Sequence, residues 1–148
     1  IIESALNARA FSKAGACGLW QFMYGTGKMY GLEINSFVDE RKDPLKATDA
    51  AARYLSDLYN IYKDWHLVIA AYNCGPGNVN KWLKAYGDPR TGSIDMMEWI
   101  EKIPLSETRD YVYRVLENAV MYDHLHPEKA RIRSSTPLSA YLGKSTPG

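Results

Sequence analysis

The chain has 148 residues, 18 of them basic and 17 acidic, for a formal net charge of +1. That length suits one domain with a sizeable core. The near-neutral balance excludes a dedicated nucleic-acid binder, whose phosphate contacts need a basic excess. No apolar run reaches the roughly 20 residues of a membrane-spanning helix, and no signal-peptide pattern is present. Ile1 and Ile2 stand directly before Glu3 without a Met, as expected of a chain that opens inside a helix, with any export signal or anchor lying upstream.

The segment from Glu3 to Met23 combines an acid, small hydroxyls (Ser4, Ser12), a glycine-rich turn (Gly15, Gly18) and the amide of Gln21 beside aromatics. Further on, Asp43-Pro44 predicts a helix start, an acidic cap followed by proline at the first helical position. Leu45, Thr48, Ala51, Ala52, Leu55, Leu58, Tyr59 and Tyr62 then recur at three- and four-residue steps, predicting one buried face. Asp64 is placed to cap a short apolar helix over 65–72, ended by Gly75-Pro76-Gly77. The next helix turns Val79, Trp82, Leu83 and Tyr86 inward and stops at Gly87, and Trp99-Ile100 predict a brief helical turn before Pro104. A last long helix runs from about 107 to 125, capped by Ser106, with Val112, Val115, Leu116, Ala119 and Tyr122 inside and Pro127 beyond. No segment alternates convincingly at period two, so the expected fold class is all-α. The expected domain covers 1–127, and 128–148, rich in Ser, Thr, Pro and basic residues, is expected to wrap the surface or fray.

Cys17 and Cys74 lie in the polar segments and show no C-x-x-C spacing, and His66, His124 and His126 are scattered. A metal site is therefore not expected. Two small buried thiols are the favoured reading of the cysteines, with a disulfide as the alternative. Tyr (11) and Trp (4) outnumber Phe (3); amphipathic rings suit a sugar-stacking groove, although most must serve the core of a small helical domain.

Cleaving a glycosidic bond through an oxocarbenium-like transition state needs an acid that protonates the departing oxygen. Most such enzymes add a second carboxylate, and Glu3 has none in its own segment. One acid suffices when the substrate supplies its own nucleophile, as an N-acetylmuramyl sugar can through its acetamido group and 6-hydroxyl. Alone, a glutamate near a serine and an asparagine is more often a solvated surface residue.

Three segments in order change that weighting. Glu3-Ser4-x-x-Asn7-x-x-Ala10-x-Ser12-x-x-Gly15-Ala16-x-Gly18-Leu19-x-Gln21-x-Met23, then Ala70-Ala71-Tyr72-Asn73-x-Gly75-Pro76-Gly77, then Ile103-Pro104-x-x-Glu107-Thr108-Arg109-x-Tyr111-Val112 resemble the bacterial lytic transglycosylases of lysozyme-like fold. The resemblance covers about residues 1–125. Residues 1–80 are more similar to the membrane-bound D type and 82–126 to the soluble type, and Cys17 and Cys74 stand where small residues such as Ala are common in the family. The resemblance implies a lysozyme-like helical domain with a substrate cleft. It implies cleavage of the β-1,4 bond between N-acetylmuramic acid and N-acetylglucosamine in peptidoglycan, leaving a 1,6-anhydromuramyl end without metal or cofactor. Glu3 aligns with the catalytic acid and base. Ser12, Gln21, Met23 and Thr26 resemble cleft residues, Gln21 as the sugar-amide partner. Tyr72 and Asn73 resemble the pair beneath the reacting sugar, and Glu107 and Tyr111 complete the far wall, although an acid in a first helical turn also favours the macrodipole without any other role. The implied partner is the peptidoglycan glycan strand, with no nucleic acid, and the implied setting is the periplasm or cell envelope, as a monomer. A goose-type-lysozyme-like muramidase that hydrolyses the bond and a non-catalytic peptidoglycan-binding module are the alternatives.

Overall fold

A computed structural model describes residues 3–130. It is helical, with no sheet among the described residues and only isolated bridges such as Phe11 with Cys17 and Cys17 with Phe22. Six α-helices follow in order: α1 (Tyr24–Met29), α2 (Pro44–Tyr62), α3 (Trp65–Cys74), α4 (Pro76–Tyr86), α5 (Met96–Glu101) and α6 (Ser106–Leu125). Short 3₁₀ turns occupy Glu40–Lys42 and Pro89–Thr91. The chain forms two compact units, Ile1–Ile61 and Tyr62–Gly148. The expected tail lies outside the described residues beyond Ala130.

The first unit opens as turns, not as a helix. Ser4 O accepts the Asn7 N–H at 3.0 Å and Asn7 O accepts the Ala10 N–H at 3.1 Å. Ala5 (φ 50°) and Leu6 (φ 65°) take left-handed conformations, which cannot propagate a right-handed helix. Helix α1 was not evident from the sequence because Gly25 and Gly27 weaken it. Gly27 is there for close packing: a Cβ would lie 3.1 Å from Ile34 Cδ1 and 3.3 Å from the Arg41 side chain.

Asp43 caps α2 as expected, its Oδ1 accepting the Leu45 and Lys46 N–H groups at 3.0 and 3.1 Å. The buried stripe differs from the predicted one. Leu45 is 85% exposed and Thr48 and Ala52 are exposed too, whereas Ala47, Ala50, Ala51, Leu58 and Tyr62 are buried. The reason is close approach. Ala50 and Ala51 pack into a cluster with Phe22, Leu32 and Ile34, flanked by Trp20, Tyr30 and Tyr54, so small residues face inward. Thr48 instead accepts the Trp20 indole N–H at 2.8 Å.

At the centre of this unit sits Arg41, 5% exposed. Its Nε and Nη2 bond the two oxygens of Asp39 at 2.9 and 2.7 Å, and Nη1 donates to Gly15 O and Phe22 O at 3.0 and 3.1 Å. A buried guanidinium is tolerated because its donors are met by a bidentate carboxylate and two carbonyls.

In the second unit α3 packs on α4 and α6, and α5 on α6. Asp64 caps α3 as expected, accepting the His66 and Leu67 N–H groups at 2.9 and 3.2 Å. The helix is apolar on most sides, and Leu67, Val68, Ala70 and Ala71 are buried. It runs two residues beyond the predicted end and stops at Gly75 (φ 87°, ψ 150°), which also opens α4. Only glycine holds that conformation cheaply. Val79 and Trp82 point inward, and Trp82 meets the buried Trp99 edge-on at 6.5 Å.

Helix α6 begins at Ser106, with Leu105 in the capping position and no side-chain cap bond. Ser106 is thus the first helical residue rather than the expected cap. Thr108, Val112 and Leu116 are its buried residues, one turn apart. Tyr122, predicted inside, is exposed and sets its ring against that of His126, the centres 4.7 Å apart and the planes tilted by 40°.

The same device recurs in both units. Asp39 and Asp88 each cap a 3₁₀ turn and pair with the arginine two residues on, and Arg90 reaches Tyr62 O at 3.1 Å much as Arg41 reaches its carbonyls. Hydrogen bonding by these arginines holds Asp39 and Asp88 below the ordinary carboxylate value of 3.8, against an opposing push from burial. A folded-state value below the unfolded one stabilises the fold fully above the ordinary range and loses that contribution as pH falls through and below it. The melting temperature is therefore expected to stay level from neutral pH to about 5 and then fall steeply. Asp39→Asn should lower the melting temperature at pH 7 and flatten the acid limb. A limb equally steep in the variant would assign it to other carboxylates.

Candidate active site

Glu3 is half-buried and leads the run of turns that opens the first unit. The following loop is built almost wholly from backbone hydrogen bonds. Ser12 N–H donates to Ala16 O at 2.8 Å, and Ser12 O accepts the Gly15 N–H at 3.0 Å. The Ser12 hydroxyl accepts the Ala16 N–H at 3.0 Å, closing the loop on itself. The lone pair used in that bond is no longer available to a ligand, but the hydroxyl proton is.

Gln21 takes a left-handed backbone (φ 52°) at the end of a turn in which its N–H donates to Gly18 O at 3.2 Å. Its Nε2 donates to Gly18 O at 2.8 Å and to Ala10 O at 3.3 Å. Both donors are therefore spent on the loop, and Oε1 is the polar atom left over. Whatever Gln21 binds, it binds as an acceptor. Met23 is exposed in the capping position of α1, and Thr26 is half-buried one turn on. The structure thus joins Ser12 and Gln21 through the 10–21 loop and sets Met23 and Thr26 at the start of the adjoining helix.

In the second unit Tyr72 and Asn73 are half-buried in the last turn of α3, just before the Gly75 reversal. Asn73 Oδ1 accepts a hydrogen bond from Thr108 Oγ1 at 2.7 Å. That bond ties the end of α3 to the first turn of α6. Glu107 is exposed beside Thr108, and Tyr111, half-buried, lies four residues after Glu107, so the two share one helix face. The structure thereby ties Asn73 to the first turn of α6, where Glu107 stands next to Thr108 in sequence and Tyr111 follows one turn on.

Both cysteines are free thiols. Cys17 is buried, and burial, with the nearby Asp39 carboxylate next in weight, pushes its thiol up. Burial pushes Cys74 up to about 11. Protonated thiols are weak nucleophiles; Cys17 is buried as expected, whereas Cys74 is half-buried. Among the described residues no group of three or more His, Cys, Asp or Glu gathers in a way that could hold a metal ion, and no helix is long and apolar enough to cross a membrane.

Sequence reasoning missed Arg41 and Thr108 as residues that shape the site. Thr108 stood in a quoted motif, and a signal was available: it falls one helical turn before Val112 and Leu116, hence on the buried face.

Residues 1–94 match the family described as the transglycosylase SLT domain. The chain belongs to that family. It is 38% identical over 117 residues to the membrane-bound lytic murein transglycosylase D of Escherichia coli, covering 78% of this chain and 25% of the relative. Among solved structures it resembles the 70 kDa soluble lytic transglycosylase of Escherichia coli with a TM-score of 0.71 and 35% identity, over 91% of this chain and 22% of that one. It also resembles lytic transglycosylase Slt of Pseudomonas aeruginosa, solved as an inactive mutant with glutamine in place of a glutamate (TM-score 0.70, 33% identity, 91% and 22% coverage). The SLT chain described here therefore spans about a quarter or less of the length of these relatives. Its helical architecture is that of the lysozyme-like lytic transglycosylases.

Proposed function

We propose that this chain is a catalytic domain that cleaves peptidoglycan glycan strands in the periplasm or cell envelope, at the β-1,4 bond between N-acetylmuramic acid and N-acetylglucosamine. The observation that carries the reading is the family match over 1–94, which includes Glu3 and the Ser12-to-Met23 loop and ends beyond Tyr72-Asn73. A glutamate-to-glutamine exchange inactivates one relative, in keeping with a single essential acid.

In this reading Glu3 donates its proton to the glycosidic oxygen as the bond from C1 breaks, and the acetamido group of the same sugar assists departure. The 6-hydroxyl then bonds to C1, and the Glu3 carboxylate takes the hydroxyl proton, restoring the acid. No water enters, so the product carries a 1,6-anhydro ring. Gln21 offers Oε1 to the N–H of a sugar acetamido group. Ser12 presents its hydroxyl proton from the same loop, and Met23 and Thr26 line the neighbouring surface. In the second unit Asn73 holds the sugar through its side-chain amide, and Tyr72, Glu107 and Tyr111 are the further sugar-contacting residues of this reading.

Digestion of purified peptidoglycan, followed by mass spectrometry of the soluble fragments, tests this directly. Fragments ending in anhydromuramic acid are expected. Reducing ends heavier by one water would assign a muramidase instead. Sedimentation with peptidoglycan and no soluble fragments would leave a binding module.

A further inference from the structure

Thr108 is 1% exposed, yet it carries a hydroxyl. A buried hydroxyl costs stability unless it is hydrogen-bonded, and valine would fill the same volume without that cost. Beyond its place in the helix, the hydroxyl has a definite use: it donates to Asn73 Oδ1 at 2.7 Å across 35 residues of chain. The Cys74 thiol stands beside the same hydroxyl and donates to Gly75 O at 3.6 Å.

An asparagine amide has two faces of opposite polarity, and a half-buried one can present either. In this structure the oxygen is the end held by Thr108. With Oδ1 engaged, the Nδ2 group of Asn73 is left with two donors and no partner among the described residues. Asn78, in the first turn of α4, donates from Nδ2 to Cys74 O at 2.8 Å, which fastens the reversal that follows Asn73.

We propose that Thr108 is a positioning residue that locks the Asn73 side chain with its N–H donors turned outward, making Asn73 a donor to a sugar oxygen such as an acetamido carbonyl. The role rests on the glycan-cleaving reading above, but the lock itself does not.

Thr108→Val keeps the shape and removes the hydroxyl, and Thr108→Ser keeps the hydroxyl and removes the methyl. For solubilisation of peptidoglycan well below the melting temperature, Thr108→Val is expected to lower kcat/KM by about tenfold, the scale of one lost neutral hydrogen bond. Thr108→Ser should stay within about twofold of the parent, whatever happens to its melting temperature, because its donor survives. In ¹⁵N-labelled protein the Asn73 side-chain amide pair should be sharp in the parent and in the Ser variant. It should broaden or split in the Val variant, and it should shift in the parent when a tetramer of N-acetylglucosamine is added. Unchanged kcat/KM in Thr108→Val, or equal impairment in Val and Ser variants, would overturn the positioning role. A parent protein that releases nothing from peptidoglycan would remove the glycan-cleaving reading, while the amide spectrum would still decide whether the lock exists.

Discussion

Exchanging Glu3 for Gln is expected to abolish release of soluble fragments from peptidoglycan, with a loss of at least about 10³-fold. General acid or base help is typically worth about 10²–10⁴, and the proposed course uses one carboxyl in both roles in succession. Glutamine keeps the size and much of the hydrogen-bonding capacity of the side chain but can neither give nor take the required proton. The Ser4–Asn7 turn and the left-handed Ala5 and Leu6 shape the backbone around it, and glutamine fits the same space, so the fold should persist. Co-sedimentation of the variant with insoluble peptidoglycan is therefore expected to match the parent. A Glu3→Gln protein that still releases fragments at a tenth of the parental rate or better would show that some other group delivers the proton. Loss of binding together with turnover would make Glu3 a substrate-holding residue instead.

What could be read in the sequence followed how local the physics was. Asp43-Pro44 and Asp64 mark helix starts through bonds that span two or three residues, and both caps are present. The inner face of α2 depends on what the helix packs against, and that is distant in sequence. Size alone favoured Leu45, yet the cluster around Phe22 and Ile34 accepts only a close approach, so Ala47, Ala50 and Ala51 face inward. Ser106 looked like a cap by residue type, but the helix starts one residue early at Leu105-Ser106. The candidate site was legible as three ordered motifs, which named Gln21 and Asn73 without saying which end of each amide was committed. That detail lies in the partners Ala10 O, Gly18 O and Thr108 Oγ1. Arg41 left no trace in any pattern, because its distant partners are backbone carbonyls rather than side chains.

The largest effect on stability is expected at the meeting point of Gly18 and Arg41. Gly18 has φ +86°, and a Cβ built there would stand 1.6 Å from the carbonyl oxygen of Arg41 and 2.6 Å from its carbonyl carbon. Neither obstacle is a side chain that could swing away. Gly18→Ala must therefore displace either the 10–22 loop or the Asp39–Arg41 turn, in addition to paying for a left-handed alanine. The turn cannot yield cheaply, because Arg41 anchors it to Asp39, Gly15 O and Phe22 O. Arg41→Met attacks the same joint from the other side. It strands the part-buried Asp39 carboxylate and two carbonyls, and breaking one partner of such a pair typically costs about 3–5 kcal/mol. Against a typical total stability of about 5–15 kcal/mol, either change is expected to leave the first unit largely unfolded near physiological temperature. Thermal unfolding followed by far-UV circular dichroism checks this, with Gly15→Ala as the comparison. Gly15 also has a positive φ, +91°, but a Cβ there meets nothing within 4 Å, so its loss should be limited to backbone strain of about 1–2 kcal/mol. Equal destabilisation by the two alanines would mean that conformation alone governs the loop and that the contact with Arg41 contributes little. A much larger loss at Gly18 would place the stability of the loop carrying Ser12 and Gln21 on that contact.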